Sequence, residues 1–230
     1  MTREGSGVPS AAPVDVAYGA DRPAAGAAPA ESVPRISLVP GEALRLNSER
    51  FVLPPPPIGQ GHVPLDQRLA DHLKRLSGTW NRLAASFVDA YFAYLQSQIE
   101  THRGAILDRL APLAGLFAPE DTLYSAPLPL PRALVRVPSA KGSEWVPADM
   151  LFWDGQRAKA VLFSPSPLLP GAERRRREHL LAASIEIAAL AAGDLAKPET
   201  FPTLLGPLGA DFWRDEALPV APGAPPLPEF

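Results

Sequence analysis

Between Leu65 and about Leu116 the apolar positions recur at helical spacing. Leu69, Leu73, Leu76, Trp80, Leu83, Phe87, Ala90 and Tyr94 follow one another in alternating steps of four and three. This pattern predicts a long helix over about 65–100 with an a/d seam, and charged residues such as Arg68, Lys74, Arg75, Arg82 and Asp89 fall on its other faces. Tyr91, Phe92 and Leu95 widen the apolar surface, so the C-terminal half is expected to pack on more than one neighbour. Gly78 weakens the helix by up to about 1 kcal/mol relative to Ala. A second helix is expected from about His102 to Leu116, with Ile106, Leu110 and Leu113 on one face. The seam has two readings. It covers the chain's own sheet, or it is a self-associating or partner-binding surface formed by Leu69, Leu73, Leu76, Trp80, Leu83 and Phe87.

From Leu128 the period changes. Ala133 to Val137 is short and rich in branched residues, Trp145 to Trp153 reads as a second strand, and Arg157 to Phe163 as its return. Asp154-Gly155 between them is a turn signal of the primed two-residue type. Ser164-Pro165-Ser166-Pro167 ends the return strand, since Pro cannot donate to a ladder. Gly171 to Ala183 reads as a helix with Leu180 and Leu181 facing inward. Ser184 to Leu190 reads as a further strand, and a short helix is expected within Pro198 to Trp213. Helices, strands, helix, strand in that order predict an α/β (α+β) fold, a small mixed sheet with a hairpin flanked by helices.

Composition adds the ends. Of the 230 residues 29 are Pro, well above a usual share of roughly 5%, and many sit near the termini. Residues 1–35 are rich in Ala, Pro and Gly and are expected to be disordered. Residues 36–64 read as an extended Pro-rich linker; its part from Ile36 to Leu53 adds a short strand or strap, and Pro54 to Pro57 is a stiff spacer. Residues 65–117 form the helical region, 128–213 the α/β core and 214–230 a second Pro-rich tail. Hydrophobic content of 46% is enough for a real core in the middle. A net charge of -3 gives no global attraction for nucleic acid, so any such contact needs a local patch. Arg174 to Arg177 form the one concentrated basic run and are the candidate nucleic-acid contacts. There is no Cys, which excludes disulfides and thiolate metal sites. No signal peptide and no membrane span is read, so the expected location is the cytoplasm, with no membrane partner.

The stretch Pro147-Ala148-Asp149 through the Trp153-Asp154-Gly155 turn, followed by Arg174-Arg175-Arg176-Arg177-Glu178-His179-Leu180-Leu181 and Ser184-Ile185-Glu186-Ile187, resembles the PD-(D/E)XK nuclease superfamily, in its restriction-endonuclease-like and very-short-patch-repair-like forms. The resemblance covers about residues 128–213. It implies an Asp closing one strand segment and a Glu-x-Lys on the next, the carboxylates holding Mg or Mn and the Lys orienting the water. Pro147-x-Asp149 matches the first acid. With Asp154 and Gly155 as the only loop residues, Trp153 faces Gln156 and Asp149 faces Ala160. Asp149, Leu151 and Trp153 then share a face with Ala158, Ala160, Leu162 and Ser164. Leu162 and Ser164 stand where the Glu and Lys belong, and neither can do that chemistry.

Asp149 is therefore the sole candidate catalytic residue, and it has its own plain reading as an acid bonded to nearby backbone. Replacement acids could come from Glu100, Glu173, Glu178 or Glu186. The four His show no metal-ligand spacing, and no phosphate-binding or nucleophile-elbow motif occurs. The expectation is a catalytically degenerate nuclease-like protein with no cofactor. It acts as a binding or accessory subunit, by protein partners or self-association through helix 65–100, with DNA or RNA as a further partner. One alternative is an active Mg- or Mn-dependent nuclease with migrated acids. The other is a structural assembly protein with no nucleic-acid role.

Overall fold

The structure is a computed structural model that describes residues 13–19, 28–51, 53, 64–78, 82–113, 115–139, 142–166, 168–206 and 212–214. The tetraproline spacer, Trp80, His62 and the C-terminal tail from residue 215 lie outside the described residues, as does most of the N-terminal tail. The architecture is mixed α/β: one sheet of six strands in the order β2-β1-β3-β4-β5-β6. The strands are β1 Val14–Ala17, β2 Arg35–Leu38, β3 Leu130–Ser139, β4 Gly142–Trp153, β5 Ala158–Ser164 and β6 Glu186–Ala191. All neighbours pair antiparallel except β5 and β6, which are parallel. A parallel pair needs a crossover, and helix α4 (Pro170–Ala182) supplies it.

The segment read as a disordered tail contributes β1, in the interior of the sheet between β2 and β3. Val16 and Ala17 are fully buried. A Val-Asp-Val-Ala strand is too short to register in a segment average dominated by Ala, Pro and Gly. The first half of the expected linker also belongs to the core. Leu44, Leu46 and Phe51 are buried, and this strap is tied down by Leu44 N–H donating to Trp153 O at 3.2 Å, Leu46 N–H to Ala126 O at 2.9 Å and Trp153 Nε1–H to Glu42 O at 2.8 Å.

The expected long helix is two helices, α1 (Leu65–Ser77) and α2 (Arg82–Thr101). α1 ends at Gly78, whose φ of 84° is easy only for Gly. Lys74 Nζ reaches Asp89 Oδ1 at 3.0 Å, and Gln96 Nε2 donates to Asp66 Oδ2 at 3.5 Å, so α2 runs back along α1. The a/d seam is therefore folded into a helical hairpin over the chain's own core. Leu69, Leu73 and Phe87 are fully buried, while Leu76 and Leu83 are half-buried against the same cluster. The second expected helix is α3 (Arg103–Leu110) and a single 3-10 turn, Ala111–Leu113.

Phe87 explains why α2 lies where it does. Its ring meets Phe152 of β4 at 6.3 Å, Phe163 of β5 at 5.8 Å and Phe201 of helix α5 (Thr200–Leu205) at 5.5 Å. Tyr91 joins the cluster, and its hydroxyl, fully buried, donates to Pro127 O at 2.6 Å. Burial pushes the Tyr91 hydroxyl well above its ordinary titration range, so it stays a donor. Faces alternate along a strand, so residues of the other parity, Asp149, Leu151, Ala160 and Leu162, look toward α4.

Candidate functional site

The site lies where β4, β5 and α4 meet, and it begins with the turn. Trp153 pairs with Ala158 and Met150 with Val161, so four residues, Asp154 to Arg157, lie between the paired strands, and the register differs by two residues from the two-residue reading. The Asp154 side chain accounts for the difference: its Oδ1 accepts from Gln156 N–H at 2.7 Å and Arg157 N–H at 2.6 Å, an Asx-type closure that a wider loop satisfies. Because the shift is an even number of residues, the faces are kept. Leu162, fully buried, is on the face of Asp149, and exposed Ser164 follows two residues on.

Asp149 is buried with 7% exposure. Its Oδ2 accepts from the backbone N–H of Phe163 at 2.9 Å, tying β4 to β5 just beyond the last ladder pair. Arg176 of α4 approaches the same oxygen, Nη1 at 3.5 Å. Arg176 is itself 4% exposed. Its Nη2 lies 2.6 Å from Glu173 Oε2. That contact is an ion pair without hydrogen-bond alignment: among the described residues neither Nη2 nor Nε has a hydrogen-bond partner. Glu173 also accepts from Ser166 Oγ–H at 2.8 Å and Arg177 Nε–H at 2.8 Å. Partial burial opposes its ionisation, but these two hydrogen bonds and the Arg176 and Arg177 charges outweigh it and hold the carboxyl below its usual range.

The opposite neighbour of Asp149 is distorted. Pro131 pairs with Met150 and Ala133 with Ala148, and between them Arg132 has φ of 47°. A non-Gly residue in the left-handed region costs about 1–3 kcal/mol and persists only where its surroundings impose it. β3 is thus bent out of regular pleat where it passes Asp149.

The basic run divides. Arg176 turns inward, which removes it from the expected nucleic-acid contacts. Arg177 is half-buried on Glu173, while Arg174 and Arg175 are exposed, Arg174 with Glu178 at 3.7 Å. Helical spacing could have found this. Arg176 is four residues before Leu180, which is fully buried, and Glu173 is three before Arg176. Leu181, expected inward beside Leu180, is 61% exposed.

The other acids considered for a metal are engaged elsewhere. Glu100 accepts from Arg103 at 2.5 Å, and Glu186 meets Arg157 and Lys159, each at 3.3 Å. His179 pairs with Glu144, and the His102 ring stacks on Trp213 at 4.5 Å. No group of three or more His, Asp or Glu among the described residues is placed to hold a metal ion. Likewise, no helix among them is long and apolar enough to cross a membrane.

Comparison of the chain with protein-family models, curated proteins and solved structures returned no match.

Proposed function

We propose that the chain is a degenerate relative of the PD-(D/E)XK nucleases that binds rather than cleaves. The observation that carries this is the state of Asp149: its carboxylate is occupied by a backbone N–H and by a buried guanidinium, and Leu162 and Ser164 follow where the second acid and the Lys would stand. The run of elements from β3 through β4, β5 and α4 to a β6 parallel to β5 also supports it, being a three-strand meander followed by a helix and a parallel strand. A divalent metal requires several oxygen ligands. Here the positive charge between Asp149 and Glu173 comes from Arg176, so the two acids neutralise a side chain of their own fold.

The binding surface in this reading is the outer face of α4, where Arg174, Arg175 and the half-buried Arg177 remain able to meet phosphates. The test is binding of labelled single- and double-stranded DNA and RNA over a salt series. The expected result is salt-sensitive binding weakened by Arg174→Glu with Arg175→Glu. Binding indifferent to both salt and that double substitution, or no binding at all, overturns the nucleic-acid part of the reading.

A further inference from the structure

The two edges of the sheet differ. On β2 the carbonyl of Ser37 accepts from Arg50 Nη1 at 3.2 Å, so a side chain caps that edge. Beyond β6 no further strand lies among the described residues. The sequence of β6, Glu-Ile-Ala-Ala-Leu-Ala, carries no Lys, no Pro and no Gly, the residues that usually blunt an edge. A groove of about 480 Å³ runs between Ile187 to Leu190 on one wall and Asp194, Thr200 and Thr203 on the other, so solvent reaches this strand. Among the described residues a side chain meets this strand's backbone only at its last residue, where Ala191 N–H donates to Asp194 Oδ2 at 2.7 Å, and an extended edge open ahead of such a cap is a template for another strand.

We infer that β6 is an assembly edge on which a second copy of this chain pairs, antiparallel across a two-fold axis, joining two six-stranded sheets into one. Charge selects a second copy and the antiparallel sense. The N-terminal end of β6 gathers Arg157, Lys159 and Glu186, with one net positive charge. Its C-terminal end leads to Asp194, Lys197 and Glu199, with one net negative charge. A two-fold axis brings each positive end onto the partner's negative end twice, whereas parallel pairing sets like against like. Steric fit agrees. A two-fold normal to the sheet preserves faces, so residues of the same parity must oppose, and the centre falls on Ala188 or Ala189. Either one meets its own copy, Ala against Ala, with no bulk to part the strands.

The test uses the full chain. Sedimentation velocity over a concentration series is expected to show a monomer–dimer equilibrium whose midpoint moves up by about tenfold or more with Ala189→Lys, which places like charges beside the axis. Since the natural chain has no Cys, Ala189→Cys supplies an independent reading. It is expected to form an intermolecular disulfide in mild oxidant well ahead of Arg174→Cys, a control on the exposed face of α4. A monomer at every concentration, a dimer insensitive to Ala189→Lys, or Ala189→Cys that cross-links no faster than the control would each overturn the inference.

Discussion

The two faces of the sheet are built on opposite principles. The α2 face is aromatic and apolar: Phe87, Tyr91, Phe152, Phe163 and Phe201 meet ring to ring, and the one buried hydroxyl among them has its acceptor. The α4 face encloses Asp149 and Arg176, both less than one-tenth exposed, with Glu173 at their margin. Burying an ion costs several kcal/mol before any attraction offsets it, and a well-packed apolar replacement is often as stable or more so. A fold selected for stability alone has no reason to retain the polar arrangement. The contrast teaches two ways of closing a layer: the α2 face is held by apolar packing, and the α4 face by a charge pair that is stable only while both partners stay.

Five changes test that contrast. Phe87→Ala removes the ring that joins α2 to β4, β5 and α5, and urea unfolding is expected to show a loss of about 3–5 kcal/mol. On the other face, Asp149→Ala strands a buried guanidinium and frees the Phe163 N–H, with an expected cost of about 3 kcal/mol. The paired change Asp149→Leu with Arg176→Met should cost far less than Asp149→Ala, about zero; a cost equal to Asp149→Ala would show that the ion pair is the stabilising element and would erase the contrast.

Glu173 gives the pH dependence. Its folded-state pKa is depressed below the usual value near 4.5, so its stabilising contribution is fully present above that value and is lost as pH falls through the lower folded-state one. Acid unfolding curves should show this slope reduced in Glu173→Gln. The turn gives a smaller loss than the single substitutions at Phe87 or Asp149. Gly155 has φ of 94° and an added Cβ would sit 3.1 Å from Ala43 N, so Gly155→Ala should cost about 1–2 kcal/mol by strain while leaving both faces intact.

The sequence made the α2 face legible because apolar residues of any kind at a fixed spacing are enough to define it. It overstated the length: Leu69 to Tyr94 keeps the heptad pattern across Gly78 although the chain folds back there, since a hairpin of two helices and one long helix can share the same spacing. The face of Asp149 was readable because strand alternation survives a register shift of two residues. What stayed hidden was the partner of Asp149. A run of four Arg reads as a solvated patch, and only its phase relative to Leu180 separates Arg176 from its neighbours. β1 was hidden for a related reason: four residues cannot outweigh the composition around them, and their stability comes from pairing with β2 and β3 rather than from local pattern.

The central claim is that Asp149 is spent on holding the fold rather than on a metal. The most direct measurement is cleavage of labelled DNA and RNA by the purified chain in Mn²⁺, run beside Asp149→Ala and scored against the folded fraction of each. The account expects no cleavage above background from either protein, with the substitution lowering stability alone. Mn²⁺-dependent cleavage by the natural chain that disappears in a folded Asp149→Ala protein would contradict it.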